Sequence, residues 1–185
     1  MLNRIAHVVG NGPSWTDFRK INSEDFVIGC NMTKCPDADV TMLSDIKLYT
    51  QWMHLLRWKR DAEIINVPVI ASNKVVEHMS VTEDNRLQVY STYEKVFGAE
   101  PLQLSSGHYG VLWAIDNGYT DIHVWGIDSY FKNHIYSYTD ERIKSDLKKD
   151  PERVKNVADR WVIEWDKIIA DHPDIRITLH APSTE

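Results

Sequence analysis

The chain is short of cysteine, of positive charge and of long apolar runs. Its 185 residues include two cysteines, Cys30 and Cys35, close together around an expected loop. Two thiols with no Cys/His cluster beside them favour reduced residues of a cytoplasmic protein over a disulfide scaffold or a zinc site. The net charge is −6, whereas nucleic-acid binding usually needs a basic face, so no nucleic acid is expected as a partner. No stretch approaches the ~20 apolar residues of a membrane span, and no transmembrane segment is expected. Arg4 interrupts a very short apolar start, so no signal peptide is read. Internal repeats, low-complexity tracts and linkers are missing too. What is present is an ordinary composition, 43% hydrophobic and 26% charged. It fits one domain, 1–185, with a substantial core. The seven tryptophans read mainly as core and helix packing. Composition leaves homo-oligomerisation open.

Apolar runs alternate with amphipathic or polar-capped segments. Strands are expected near Ile5–Val9, Phe26–Gly29, Val40–Leu43, Val67–Ala71, Ile122–Trp125 and Ile175–Leu179, with a further short one near Leu87–Tyr90. Helices are expected near Trp15–Lys20, Ile46–Lys59, Gly107–Asn117 and Pro151–Asp171. In the last, Val154, Val157, Ala158, Trp161, Trp165, Ile168 and Ile169 recur at helical spacing. Asp150 and Pro151 mark its start, and His172-Pro173 its end. The alternation predicts an α/β fold, a Rossmann-like domain with a mainly parallel sheet and helices on both faces. The segment 129–149 is long, polar and aromatic, and reads as a lid or as a solvated insertion.

The most informative stretch is Arg4-Ile5-Ala6-His7-Val8-Val9-Gly10-Asn11-Gly12-Pro13-Ser14. A short apolar run ends in a Gly-rich turn followed by helix-start signals, which is how α/β proteins set backbone N–H groups against a phosphate or nucleotide. In open α/β sheets, ligands bind outside the carboxyl ends of the strands. Those ends supply Gly10-Asn11-Gly12, Cys30-Asn31, Ser44-Asp45, Ser72-Asn73, Gly126-Ile127-Asp128 and His180-Ala181-Pro182-Ser183. Asn, Ser and Gly hydrogen-bond sugars, bases and phosphates without adding charge. Each alone suits a turn or cap; their recurrence at successive strand ends points to a nucleotide-type ligand. A second stretch, Leu104 to Ile115, would start a helix at Ser105 or Ser106, with Gly107 and Gly110 allowing close approach. Gly10 and Gly12 match the first two glycines of the dinucleotide fingerprint. The third is absent, and Cys30-Asn31 stands where an acidic residue would hold the ribose.

Together, Gly10-Asn11-Gly12-Pro13-Ser14, Cys30-Asn31, Ser105-Ser106-Gly107 with Ala114, and Gly118-Tyr119 followed by Gly126-Ile127-Asp128-Ser129-Tyr130 resemble the bacterial sialyltransferases of glycosyltransferase family 42. The resemblance covers most of the chain in order and ends with a similar Ala-Pro-Ser tail. It implies metal-independent transfer of a sugar from a cytidine-monophosphate donor, with no cofactor. It assigns donor contacts to Asn11, Asn31 and Ser106, and puts Ser44 in the place of a donor-contacting asparagine. It gives Tyr130 and Tyr136 the role of stabilising the departing phosphate. Gly10, Gly12, Ser105, Gly107 and Asp128 complete the nucleotide-binding set.

The chain departs from that family in two places. The family carries an arginine just before the Ser-Gly pair, where this chain has Gln103. The family's general base is a lid histidine beyond the second tyrosine, and no histidine lies between Tyr138 and Asp171. His134, between the tyrosines, is the catalytic base candidate that remains. The Asp37-Ala38-Asp39 pair mimics a metal motif, yet it precedes a strand and reads as a turn. Arg142, Lys144, Lys148 and Lys149 read as a solvated helix face. No histidine spacing suggests a metal. The alternatives are a phosphotransfer enzyme like the related 6-hydroxymethylpterin diphosphokinases, a dinucleotide-binding dehydrogenase-like protein, and a non-catalytic ligand-binding relic. The sequence leaves open whether the chain is an enzyme.

Overall fold

The computed structural model describes residues 4–31, 33, 35–44, 67–72, 87–90, 104–132 and 150–183. Their strands are β1 (Ile5–Val9), β2 (Phe26–Cys30), β3 (Val40–Leu43), β4 (Val69–Ser72), β5 (Leu87–Tyr90), β6 (Asp121–Trp125) and β7 (Arg176–Leu179). The helices are α1 (Ser106–Asp116), α2 (Ser129–Lys132) and α3 (Pro151–Asp171), and a 3-10 turn spans Pro13–Asp17. The seven strands form one sheet in the order β5-β4-β3-β2-β1-β6-β7, and every pairing is parallel. The fold is α/β.

β1 lies centrally and is almost entirely buried, which is why it is apolar on both faces apart from His7 rather than alternating. Its neighbours pair Ala6 with Phe26 on one side and with Ile122 on the other. The chain moves outward from β1 to β5 on one side and then adds β6 and β7 on the other. The order therefore reverses between β1 and β6. At such a switch point the loops leaving the two strands diverge, and an α/β sheet opens its crevice there.

One face of the sheet packs against α1 and α3. Ala6, Val8, Ile28, Met42, Ile122 and Val124 meet Val111, Leu112, Trp165 and Ile168 in one core cluster. On the opposite face Val9 and Val27 pack with Phe18, Cys35 and Ala38. The helix expected at Ile46–Lys59 lies outside the described residues. The expected helix Trp15–Lys20 is instead the 3-10 turn. Trp15 N–H bonds to Gly12 C=O at 3.0 Å and Phe18 N–H to Trp15 C=O at 3.1 Å, after which Phe18 turns extended and buries its ring. β4 starts two residues later than the sequence suggests. Pro68 has no N–H for the ladder and offers only its carbonyl, to Thr41 N–H at 2.9 Å.

Candidate functional site

The loops leaving β1 and β6 are laced together. Gly10 N–H donates to Trp125 C=O at 2.8 Å, and Gly12 N–H to Gly126 C=O at 2.9 Å. A β-carbon on Gly10 would sit 2.5 Å from the Gly126 oxygen, and one on Gly12 2.7 Å from an Asp128 carboxylate oxygen. Gly126 has φ +65°, a conformation that glycine adopts without penalty. Asp128 is buried, and both its oxygens are used within the protein. Ser14 N–H donates to Oδ2 at 2.9 Å, and the Ser14 hydroxyl donates to Oδ1. Asp128 thus holds the Gly loop against the end of β6, and its own carbonyl accepts Phe131 N–H at 3.1 Å in α2.

The β2, β3 and α1 ends converge beside this loop. Asn11 Nδ2 donates to Cys30 C=O at 2.8 Å. Asn31 has φ +55°, unlike every other non-glycine residue described; Asn tolerates that region better than most side chains. Its backbone is fixed by Met42 C=O at 2.8 Å and by the Thr41 hydroxyl at 2.6 Å. The Ser106 hydroxyl donates to Asn31 Oδ1 at 2.6 Å and lies 2.7 Å from the Ser44 hydroxyl. Ser106 has one proton to give, so Ser44 is the donor in that pair. The result is a directed chain, Ser44 to Ser106 to Asn31. Gly107 brings the start of α1 against the loop leaving β6: its β-carbon would meet Ile127 Cδ1 at 2.8 Å, and one on Gly10 would meet the same atom at 2.6 Å.

The structure therefore assembles Gly10, Asn11, Gly12, Asn31, Ser44, Ser105, Ser106, Gly107 and Asp128 around the switch point. Asn and Ser hydroxyl and amide groups can hydrogen-bond a neutral or anionic ligand, and free N–H groups at a helix start favour an anion. Tyr130, on α2, is held to one side. Its hydroxyl donates to Asp166 Oδ1 on α3 at 2.9 Å, and burial first, then that carboxylate, raises its pKa. Tyr136 and His134 lie outside the described residues, as do Gln103 and most of the segment 129–149. Burial pushes the Cys30 thiol up to about 12, which leaves it inert beside Asn31. The described tail residues make other contacts: His180 stacks on Trp125 at 3.5 Å, and Ser183 binds Asp17 through N–H and hydroxyl. Asp37 lies in a turn, as expected, and Asp39, at the bend before β3, accepts Val27 N–H at 2.8 Å. Among the described residues no three His, Cys, Asp or Glu side chains cluster to hold a metal ion, and no helix is long and apolar enough to cross a membrane.

One participant escapes the strand-end rule. His108 lies behind the serines, with Nδ1 3.0 Å from Ser105 N and Nε2 3.1 Å from Trp161 O. The signal in the sequence is its spacing. It stands three residues after the cap Ser105, where a Glu or Gln commonly reaches back to the cap N–H.

No family model matches the chain, and no curated protein sequence does. Solved structures do. The monofunctional alpha-2,3-sialyltransferase Cst-I from Campylobacter jejuni aligns over 98% of this chain and 77% of its own, with a TM-score of 0.60 and 17% identity. The sialyltransferase CstII from Campylobacter jejuni in complex with cytidine-5'-monophosphate gives a TM-score of 0.59 at 17% identity, over 98% and 81%. The same enzyme in complex with a substrate analogue, CMP-3FNeuAc, gives 0.56 at 18%, over 98% and 82%. The chain has a sialyltransferase-like fold, and the motif resemblance read from its residues leads to the same proteins.

Proposed function

We propose that the chain binds a nucleotide sugar of the cytidine-monophosphate type and transfers its sugar without a metal. The observation that carries this reading is the convergence of Asn11, Asn31, Ser44 and Ser106 at the switch point of a fold shared with sialyltransferases seen in complex with cytidine monophosphate. In this reading those four side chains hold the donor. The backbone of Gly10, Gly12, Ser105 and Gly107 admits its close approach, and Asp128 keeps the Gly loop in place. An acceptor hydroxyl oxygen bonds to the anomeric carbon. The bond from that carbon to the phosphate oxygen breaks, with its electron pair leaving on the phosphate. The acceptor proton passes to a base, for which His134 is the candidate. Tyr130, released from Asp166, and Tyr136 donate to the departing phosphate. Buried, unpaired Cys30 and Cys35 suit a cytoplasmic setting.

The test is hydrolysis of a cytidine-monophosphate sugar with and without a chelator, alongside equilibrium titration of cytidine monophosphate and a nicotinamide dinucleotide. Turnover is expected to survive the chelator, and the cytidine nucleotide to bind more tightly. Tyr130→Phe should slow donor cleavage by roughly 10²–10³-fold while leaving donor affinity nearly unchanged, because the contact forms in the transition state. Turnover lost to the chelator, or tighter binding of the dinucleotide, overturns the reading. Binding without turnover leaves a non-catalytic nucleotide-binding protein.

A further inference from the structure

We propose that His108 is a positioning residue for the donor site, holding the Ser105–Ser106 turn in register with Asn31 while bringing no charge to it. The proposal rests on the nucleotide-sugar reading of that site.

The hydrogen bonds of the ring fix its state. Nδ1 accepts Ser105 N–H at 3.0 Å and lies 2.8 Å from the Ser105 hydroxyl; Nε2 faces a carbonyl that can only accept, so the ring proton sits on Nε2 and both Ser105 groups donate to Nδ1. Nε2–H donates to Trp161 C=O at 3.1 Å. The ring is completely buried and stacks on Trp165 at 4.2 Å with the planes 27° apart. It cannot turn without losing these three bonds and the stack. Trp161 and Trp165 belong to α3, so His108 ties the first turn of α1 to the helix packed behind it.

That first turn carries the site. Ser105 is followed by Ser106, whose hydroxyl binds Asn31 Oδ1 at 2.6 Å and takes the Ser44 hydroxyl at 2.7 Å. Hydrogen bonds weaken steeply with misalignment and fail beyond about 3.5 Å, so a drift of the Ser105 backbone would break this chain. A glutamate could accept the Ser105 N–H equally well. It would also set a full negative charge beside a site for a phosphate-bearing ligand, and an acceptor against the Trp161 carbonyl. Burial holds the His108 pKa down to about 3, so the imidazole stays neutral at working pH. Glutamine supplies the same pair of functions, one acceptor and one donor, without charge.

The experiment compares wild type, His108→Gln and His108→Leu, with cytidine monophosphate titrated well below each unfolding midpoint. Wild type and the Gln variant should agree within about threefold, and the Leu variant should bind about tenfold more weakly or worse. Two readouts need no ligand. The imidazole nitrogen spectrum should show the Nε2–H tautomer unchanged from about pH 4.5 to about pH 8. The Ser105 amide should exchange slowly in wild type and the Gln variant and fast in the Leu variant. Equal nucleotide affinity of the Leu variant and wild type, titration of His108 near its ordinary value, or Ser105 exchange indifferent to residue 108 each overturns the proposal. If wild type fails to bind the nucleotide while tautomer and exchange behave as expected, the nucleotide reading falls and the positioning of Ser105 is supported.

Discussion

At the scale of the residue, the switch point is built from atoms that leave no room for a β-carbon. Gly126 combines a left-handed backbone, φ +65°, with the Gly10 carbonyl oxygen 2.7 Å from where its β-carbon would lie. Gly118, just past the end of α1, has φ +78°, yet its β-carbon would meet only the Arg4 guanidinium, at 3.6 Å. The two positions separate backbone strain from steric approach. Alanine in the left-handed region costs about 1–2 kcal/mol, so Gly118→Ala should destabilise by roughly that amount. Gly126→Ala carries the same strain plus a clash with backbone that cannot swing aside, and should cost about 2 kcal/mol more. Urea unfolding at constant m-value would measure both. Equal losses would mean that the β1 and β6 loops do not approach as closely as described. The same logic makes Asn31 a poor site for alanine, which would lose the Ser106 partner and keep the strained φ.

At the scale of the element, α3 is the support on which α1 and α2 are aligned, and its seam can be weighed. Trp165 is fully buried and stacks on His108, so Trp165→Ala should cost about 3–5 kcal/mol. Its indole N–H is buried without a partner among the described residues, and a lone buried donor is a penalty rather than a gain. Trp165→Phe should therefore cost less than half as much in a denaturant titration; equal losses would place a hidden partner on the indole. The bounds of α3 were legible because Asp150-Pro151 and His172-Pro173 punctuate it locally, and the strands because buried runs announce themselves. The 3-10 turn was not, since Phe18 leaves it for a tertiary contact. The site divides in the same way. Asn11, Asn31, Ser44 and Ser106 could be nominated by a rule about strand ends. The Ser14–Asp128 clamp joins residues 114 apart, and the His108–Trp161 bond joins residues 53 apart. No local pattern carries such pairings. The strand-end rule places Asp128 at the site, but not the Ser14 N–H and hydroxyl that its oxygens accept.

At the scale of the whole molecule, four histidines fold as neutral bases, and that makes stability a function of pH. Burial lowers His7, His108, His123 and His180 below the ordinary imidazole value. For His7 burial outweighs the pull of Asp25. The ring accepts Trp125 Nε1–H at 3.1 Å and donates to Asp25 at 3.0 Å, with Lys20 and His123 adding repulsion. His123 Nδ1 and His180 Nε2 lie 2.9 Å apart, and Arg176 opposes a second positive charge there while Asp121 favours it. Asp25 and Asp121 are themselves lowered. At Asp25 burial pulls upward but is outweighed by donors from Asn22 and His7; at Asp121 the Arg176 hydrogen bonds lead. A base with a depressed folded pKa leaves the unfolded chain binding more protons below about pH 6.5. Stability therefore falls as pH drops through that value. The two carboxylates extend the loss to pH values below the ordinary carboxylate range, in the same direction. His108 alone contributes a loss of roughly 2–3 kcal/mol at about pH 4.5, two units below the unfolded imidazole value. The urea midpoint should be level from about pH 7 to about pH 8 and decline steadily below about pH 6.5. His108→Gln removes one base that only the unfolded chain would protonate in this range, so its decline should be shallower. A midpoint that rises on acidification, or a Gln variant that declines as steeply as wild type, would show that these rings are not held neutral by the fold.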